Sequence, residues 1–199
     1  LGLGRAPGTD ARTARALRRQ MEAPSAEDFA QDVVELQGYL DDPRPDQPVR
    51  AIPGAGTNVP IWILGSSLYG AQLAAWLGLP YAFASHFAPD LLDDALAVYR
   101  RTFRPSARWP RPHAMVGVNV VCAASDDEAR WHASSMEQRF LGMQRGVRGP
   151  LPRPVDPSRL RALGSEQEWA AARRMLAGSA VGAPASVRRQ LDAIVDRTQ

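Results

Sequence analysis

Lysine is missing altogether: all 24 basic positions of the chain are arginine. A Schiff-base or catalytic lysine is thereby excluded. Cysteine occurs once, as Cys122, so no intrachain disulfide and no cysteine-built zinc knuckle can form. Lying inside the apolar run AMVGVNVVCA, Cys122 is expected to be a buried small hydrophobe. No apolar run approaches the roughly 20 residues that a bilayer span needs. The N-terminus also lacks the basic, apolar and small-residue succession of a secretory signal. A cytoplasmic location without a membrane partner is the expectation. Histidine is scarce as well, with His86, His113 and His132 too far apart to pair at ligand spacing, and HExxH is absent, so no metal site is expected.

What the chain does contain is ordinary for a globular protein. Of its 199 residues 45% are apolar and 23% charged, enough for a sizeable core. The net charge of +3 comes from arginines scattered among acids. No aromatics alternate with them and no nucleic-acid-binding motif occurs, so nucleic acid is not an expected partner.

Apolar periodicity gives a repeating order. LGLG (Leu1 to Gly4) reads as a strand, followed by the helical stretches TARALRRQM and EDFAQDVVELQGYL, the second with Phe29, Val33, Leu36 and Leu40 on one face. Residues 41–60 are dense in proline and glycine and read as an ordered excursion within one continuing domain that covers residues 1–199. PIWILG is the next strand. The helix LYGAQLAAWLG carries Ala71, Ala74, Ala75 and Gly78 on a face small enough to lie close against a sheet. YAFAS is a strand, and the helix after Pro89 aligns Leu92, Ala95, Leu96, Tyr99 and Phe103. AMVGVNVVCA reads as the longest strand. Ser125 and Glu128 form a capping box for a helix that buries Ala129, Ala133, Met136 and Phe140. Residues 146–164 form a second excursion, Ser165 and Glu168 a second capping box, and a turn at VGAP leads into a helix carrying Val187, Leu191, Ile194 and Val195.

Alternating strands and helices predict parallel strands joined by crossover helices. An open doubly wound sheet and a barrel of eight such units both satisfy the pattern. The open sheet is the simpler choice for this length, since a barrel usually takes about 250 residues. The first residue is not methionine, and both ends read as cut from a larger pattern.

One junction invites chemistry. In WILGSSLYG a strand hands over to a helix within a few residues, so unpaired N–H groups at the helix start lie beside two hydroxyls, as in a phosphate cradle. A plain turn with Ser67 as N-cap reads the same residues equally well. Gly-Leu-Gly at residues 2–4 is not a dinucleotide fingerprint, because Pro7 stands where the third glycine belongs. GSSLYG is not a nucleophile elbow, because Tyr69 stands where GxSxG needs glycine.

LGLGRAPGTD, VELQGYL, PIWILGSSLYGAQLAAWLGLPYAFASHFAP, AMVGVNVV and SAVGAPASVRRQL, taken in that order, resemble the later part of the luciferase-like flavin-dependent monooxygenases, in the luciferase-family oxidoreductase subgroup. The resemblance covers nearly the whole chain and is strongest from Pro60 to Pro89. It implies an α/β fold, a partial (β/α)8 TIM-type barrel lacking its first three strands and its last. It also implies that reduced FMN, supplied by a separate reductase, and oxygen act on a small organic substrate. A deazaflavin-dependent hydride-transferring enzyme of the same fold is the alternative. A catalytically silent chain serving as an interaction partner is another. The family further implies a homodimer.

By position, the resemblance places the flavin phosphate at Ser66, Ser67, Leu68 and Gly70, with Arg5 contacting the flavin from the end of the first strand. A guanidinium suits a phosphate through its fork of donors. A solvated surface arginine is the other reading. His86, ending YAFAS, would face the flavin ring or substrate and move a proton. A hydrogen-bonded rim histidine without a catalytic role stands beside that reading. Asn119, polar within an apolar strand, reads as lining the interior or as a satisfied core amide.

Overall fold

The structure, a computed structural model, describes residues 1–5 and 26–199. The helix expected at TARALRRQM lies outside the described residues. The elements run β1 (Gly2–Gly4), α1 (Ala26–Leu40), β2 (Trp62–Gly65), α2 (Leu68–Leu77), β3 (Tyr81–Phe83), α3 (Leu92–Thr102), β4 (Ala114–Val116), β5 (Asn119–Cys122), α4 (Asp126–Gln144), α5 (Pro157–Arg161), α6 (Glu166–Met175), β6 (Ser179–Gly182) and α7 (Pro184–Thr198). A four-stranded sheet has the order β1-β2-β3-β4, and β5 pairs with β6 in a second sheet. The pairs β1–β2 and β5–β6 are parallel, as crossover helices require. The chain divides into two compact units, Leu1–Ala82 with Val98–Met115, and Phe83–Ala97 with Val116–Gln199.

In the first unit the small-residue face of α2 behaves as its spacing predicts. Ala71, Ala74 and Ala75 are fully buried, as is Ile63 of β2. Burying Ile63 stabilises the fold by about 1.5–3 kcal/mol, and each alanine methyl by about 0.8 kcal/mol. The helix stops at Gly78, whose left-handed backbone (φ 63°) a side chain would strain and whose Cβ would come 2.5 Å from the Arg104 carbonyl oxygen. Tyr99, buried, donates its hydroxyl to the Leu79 carbonyl at 2.8 Å and accepts from the His113 N–H at 3.1 Å. The excursion at 41–60 is irregular but tied down: the Asn58 N–H donates to the Leu40 carbonyl at 2.9 Å, and Arg108 donates to the Asn58 amide oxygen at 2.6 Å.

In the second unit Phe140, Leu141, Leu160, Trp169 and Ala172 form the core between α4, α5 and α6. Thus the excursion at 146–164 contributes Leu160 from a short helix, opened by Pro157 with Asp156 as its cap. The box at Ser165 is complete, each partner bonding the other's backbone N–H. At Ser125 it is half formed, because Glu128 reaches the N–H of Ala124 instead. Hydrogen bonds from Arg145 first, then from the backbone and hydroxyl of Ser165, pull the Glu168 carboxyl from its ordinary 4.5 to about 2. A carboxyl lowered on folding stabilises the protein above its unfolded value and loses that contribution as pH falls through the folded one. Glu168→Gln should therefore lower the urea midpoint at pH 7, with the difference from the parent closing between about pH 4.5 and 2. A difference independent of pH would show that the charge contributes nothing.

Four expectations are corrected. AMVGVNVVCA is not one strand: it breaks after Val116 into β4 and β5, which belong to different sheets. The cause is Gly117, whose N–H donates to the Phe83 carbonyl at 2.9 Å and whose carbonyl accepts from the Ser85 hydroxyl at 2.6 Å. VGAP is not wholly a turn, since Ser179–Gly182 forms β6. The chain so carries a strand where the last of the series was expected to be lacking. The Gln190 amide of α7 brackets Val181, accepting its N–H at 3.1 Å and donating to its carbonyl at 2.9 Å, so a side chain completes the ladder of a short, small-residue strand. Val195 is exposed although Val187 on the same helix is buried.

Cys122, finally, is exposed: it shares with Val120 the open face of β5, whose burial alternates residue by residue. Native chain is expected to react with one equivalent of an aromatic disulfide reagent at a rate close to that of the urea-unfolded chain. Protection by more than about a hundredfold would place Cys122 in a closed environment.

Candidate functional site

The pairing Gly4↔Leu64 in the parallel pair β1–β2 brings the C-terminal ends of both strands to one edge of the sheet. Arg5 leaves β1 at that edge, and Ser66 and Ser67 leave β2 there. Ser67 is the N-cap of α2 with extended backbone (φ −139°, ψ 163°), but its hydroxyl makes no capping bond. The capping reading of that serine is thus not what the side chain does, and its oxygen stays uncommitted to the helix. Behind it the first turn of α2 holds no acidic residue, so its positive end meets no carboxylate of its own. Leu68 begins the helix. The Arg5 guanidinium carbon lies 4.4 Å from the centre of the Tyr69 ring, which holds an exposed cation beside the helix start.

Two residues set this corner from beneath. Tyr81, fully buried, donates its hydroxyl to the Ser67 carbonyl at 3.2 Å, and burial pushes its pKa upward, so the phenol stays a donor. A Cβ on Gly70 would lie 3.3 Å from the Tyr81 ring and 3.7 Å from the Gly65 Cα. Gly70 is buried, and its missing side chain faces this packing, letting the start of α2 press onto β2. Arg5, Ser66, Ser67, Leu68 and Gly70 therefore come together in the first unit, where cation, hydroxyls and helix end suit a phosphate monoester.

His86 belongs to the second unit. Its backbone carbonyl accepts from the Asn119 side-chain NH2, which also lies 3.4 Å from the Ser179 hydroxyl, so the donor end of that amide is engaged and fixes the turn. The imidazole meets the Phe87 ring edge to face at 4.7 Å. A Cβ on Gly117 would stand 2.5 Å from His86 Nδ1, so the ring occupies the space a side chain there would need. Ser85, 1% exposed, holds Gly117 through the bond already described. Tyr81, Ser85 and Gly117 escape a reading by motif. The one available signal is the isolated glycine in AMVGVNVV, which marks a bulge or a close approach.

A second strand-to-helix junction in the same unit offers a contrast. At β6–α7 the Asp126 carboxylate accepts from the Ala183 N–H at 2.6 Å and the Ser186 hydroxyl at 3.2 Å, and these bonds, the backbone one foremost, hold its pKa low. That helix start is neutralised by the protein itself. Among the described residues no acid plays the part in the first turn of α2.

Among the described residues no helix is long and apolar enough to cross a membrane, and no cluster of three or more His, Cys, Asp or Glu could hold a metal. Parallel strands joined by helices define an α/β protein. The chain belongs to the luciferase-like monooxygenase family, whose model matches residues 13–198. It is 48% identical over 198 residues to a luciferase-like monooxygenase of Escherichia coli (strain K12) and 45% identical over 203 residues to the protein YvbT of Bacillus subtilis (strain 168). All of this chain is covered in both comparisons, and it spans 58% of the length of each relative. The crystal structure of apo-MsnO8 superposes with a TM-score of 0.78 at 30% identity, covering all of this chain and 59% of that one.

Proposed function

We propose that the chain carries the phosphate-binding part of a flavin-dependent monooxygenase that uses reduced FMN and oxygen on a small organic substrate. A partial (β/α)8 barrel is the architecture this reading implies. One observation carries it: α2 opens with an uncommitted Ser67 hydroxyl and no acid in its first turn, with Arg5 at the same sheet edge, whereas the start of α7 is occupied by Asp126. These residues fit a phosphate: Arg5 supplies a forked cation, Ser66 and Ser67 hydroxyls, and Leu68 onward the N–H groups of a helix start. Bound there, reduced flavin would supply the electrons that activate oxygen, and a separate reductase would deliver it. The protein's own part is to hold the phosphate, and at His86 to offer an imidazole whose turn Asn119 and Gly117 fix.

Titration of the 199-residue chain with FMN and with riboflavin, followed by flavin fluorescence, tests the reading. FMN should bind saturably and more tightly than riboflavin, which has no phosphate. Ser67→Ala should weaken FMN by roughly tenfold or more, the loss of one hydrogen bond to a charged acceptor, about 1.5–3 kcal/mol, and leave riboflavin alone. Equal affinity for the two flavins, or no binding by a folded chain, would refute it.

A further inference from the structure

In the second unit the three helices that build its core, α4, α5 and α6, leave between them a half-open cleft of about 550 Å³. That is a usual size for a small-molecule site, about 300–1,000 Å³. Pro157, Leu160, Gly164 and Trp169 give it an apolar floor. Most polar side chains on its walls are engaged. Arg173 donates to the Glu166 carboxylate at 2.7 Å, Arg130 pairs with Asp127, and the Trp169 indole N–H donates to the Arg161 carbonyl at 3.2 Å. Two charges are left over, those of Glu137 and Arg161. Neither side chain makes a hydrogen bond or an ion pair among the described residues, so the two do not answer each other.

The Glu137 carboxylate is the more constrained of the pair. On α4 it stands three and four residues before Phe140 and Leu141, which pack toward α5 and α6, so it projects toward the same two helices. It is half-buried. Burial pushes its pKa up and the charge of Arg173 on α6 draws it part of the way back, as befits a carboxylate that faces α6 and is short of partners. Arg161 is exposed in the last turn of α5, its guanidinium free to close on an anion at the rim. An anion alone would leave Glu137 uncompensated, and a cation alone would meet the three arginines of the walls. A molecule that bears both charges satisfies both residues.

We propose that this cleft binds a small zwitterion, an ammonium and a carboxylate joined by a short apolar chain, the ammonium donating to Glu137, the carboxylate accepting from Arg161 and the chain lying along the apolar floor. The site is independent of the flavin reading, since all its walls belong to the second unit. Methyl and indole NMR of the 199-residue chain tests it. The probe is ε-aminohexanoate, and the controls are ε-hydroxyhexanoate, which lacks the ammonium, and aminohexanol, which lacks the carboxylate. The probe should shift the Leu160 methyl signals and the Trp169 indole signal saturably and leave the indole of exposed Trp76 unmoved. ε-Hydroxyhexanoate should bind roughly tenfold more weakly, the loss of a hydrogen bond between charged groups. Aminohexanol should lose only roughly threefold, because Arg161 is exposed. Glu137→Gln should lower the probe to the affinity of ε-hydroxyhexanoate and Arg161→Gln to that of aminohexanol, with FMN binding unchanged in both. Equal affinity for the three molecules, or no saturable shift from the probe, overturns the proposal. So does a folded Glu137→Gln chain that binds the probe as the parent does. Should a variant fail to fold, the comparison of the three molecules on the parent chain decides alone.

Discussion

Arg5→Ala is expected to weaken FMN binding roughly ten- to a hundredfold, the equivalent of about 1.5–3 kcal/mol for a hydrogen bond to a charged group, without changing the affinity for riboflavin. The selectivity is the argument. Arg5 stands where β1 ends, its guanidinium 4.4 Å from the Tyr69 ring centre, so its charge lies beside the start of α2. Arg5→Lys keeps the charge but not the planar fork or its stacking, and should recover part of the loss. Because the cation is exposed, the effect should shrink as salt is raised. Equal losses for FMN and riboflavin would mean that Arg5 touches the ring system or supports the fold.

Tyr81→Ala should destabilise the chain by about 3–5 kcal/mol, as expected for emptying a fully buried aromatic site. The Tyr81 ring packs 5.5 Å from that of Tyr99 and under Gly70, and alanine leaves the Ser67 carbonyl without that hydroxyl. Tyr81→Phe separates packing from positioning. It keeps the ring, removes the bond to the Ser67 carbonyl and should cost about 1 kcal/mol. Freed from beneath, the Ser67 peptide should present its hydroxyl less well, and FMN affinity should fall severalfold while riboflavin binding holds. Urea unfolding reads the first effect and flavin titration the second. A Tyr81→Phe chain with parental stability and FMN affinity would show that the hydroxyl does nothing for the corner.

Much of this was readable in the residues. The helix at Leu68–Leu77 follows from the period of Ala71, Ala74 and Ala75, which depends on neighbours within one turn, whereas Gly78, read as part of that face, is the left-handed residue that ends it. The complete box at Ser165 and Glu168 is equally local. What escaped depends on partners distant in sequence. AMVGVNVVCA has the composition of one strand, and nothing within it shows that Phe83 and Ser85 grip Gly117 and break it. SAVG is too short and small to read as a strand without β5 on one side and Gln190 on the other. Cys122 has an apolar neighbourhood in sequence but an open face in space. In the candidate site, Arg5 and Ser67 follow from their places after strands. The support from Tyr81 does not, since a tyrosine in a strand reads as core until its hydroxyl is seen to meet the Ser67 carbonyl.

The central claim is that the corner formed by Arg5, Ser66, Ser67 and the start of α2 binds the phosphate of a flavin, and phosphorus NMR of FMN reads that atom directly. Adding the 199-residue chain should shift and broaden the phosphate resonance, saturably, with the Arg5→Ala chain needing far more protein for the same change. A phosphate signal that stays at its free position while the flavin fluorescence is quenched would contradict the account, because the ring would then bind without the cradle.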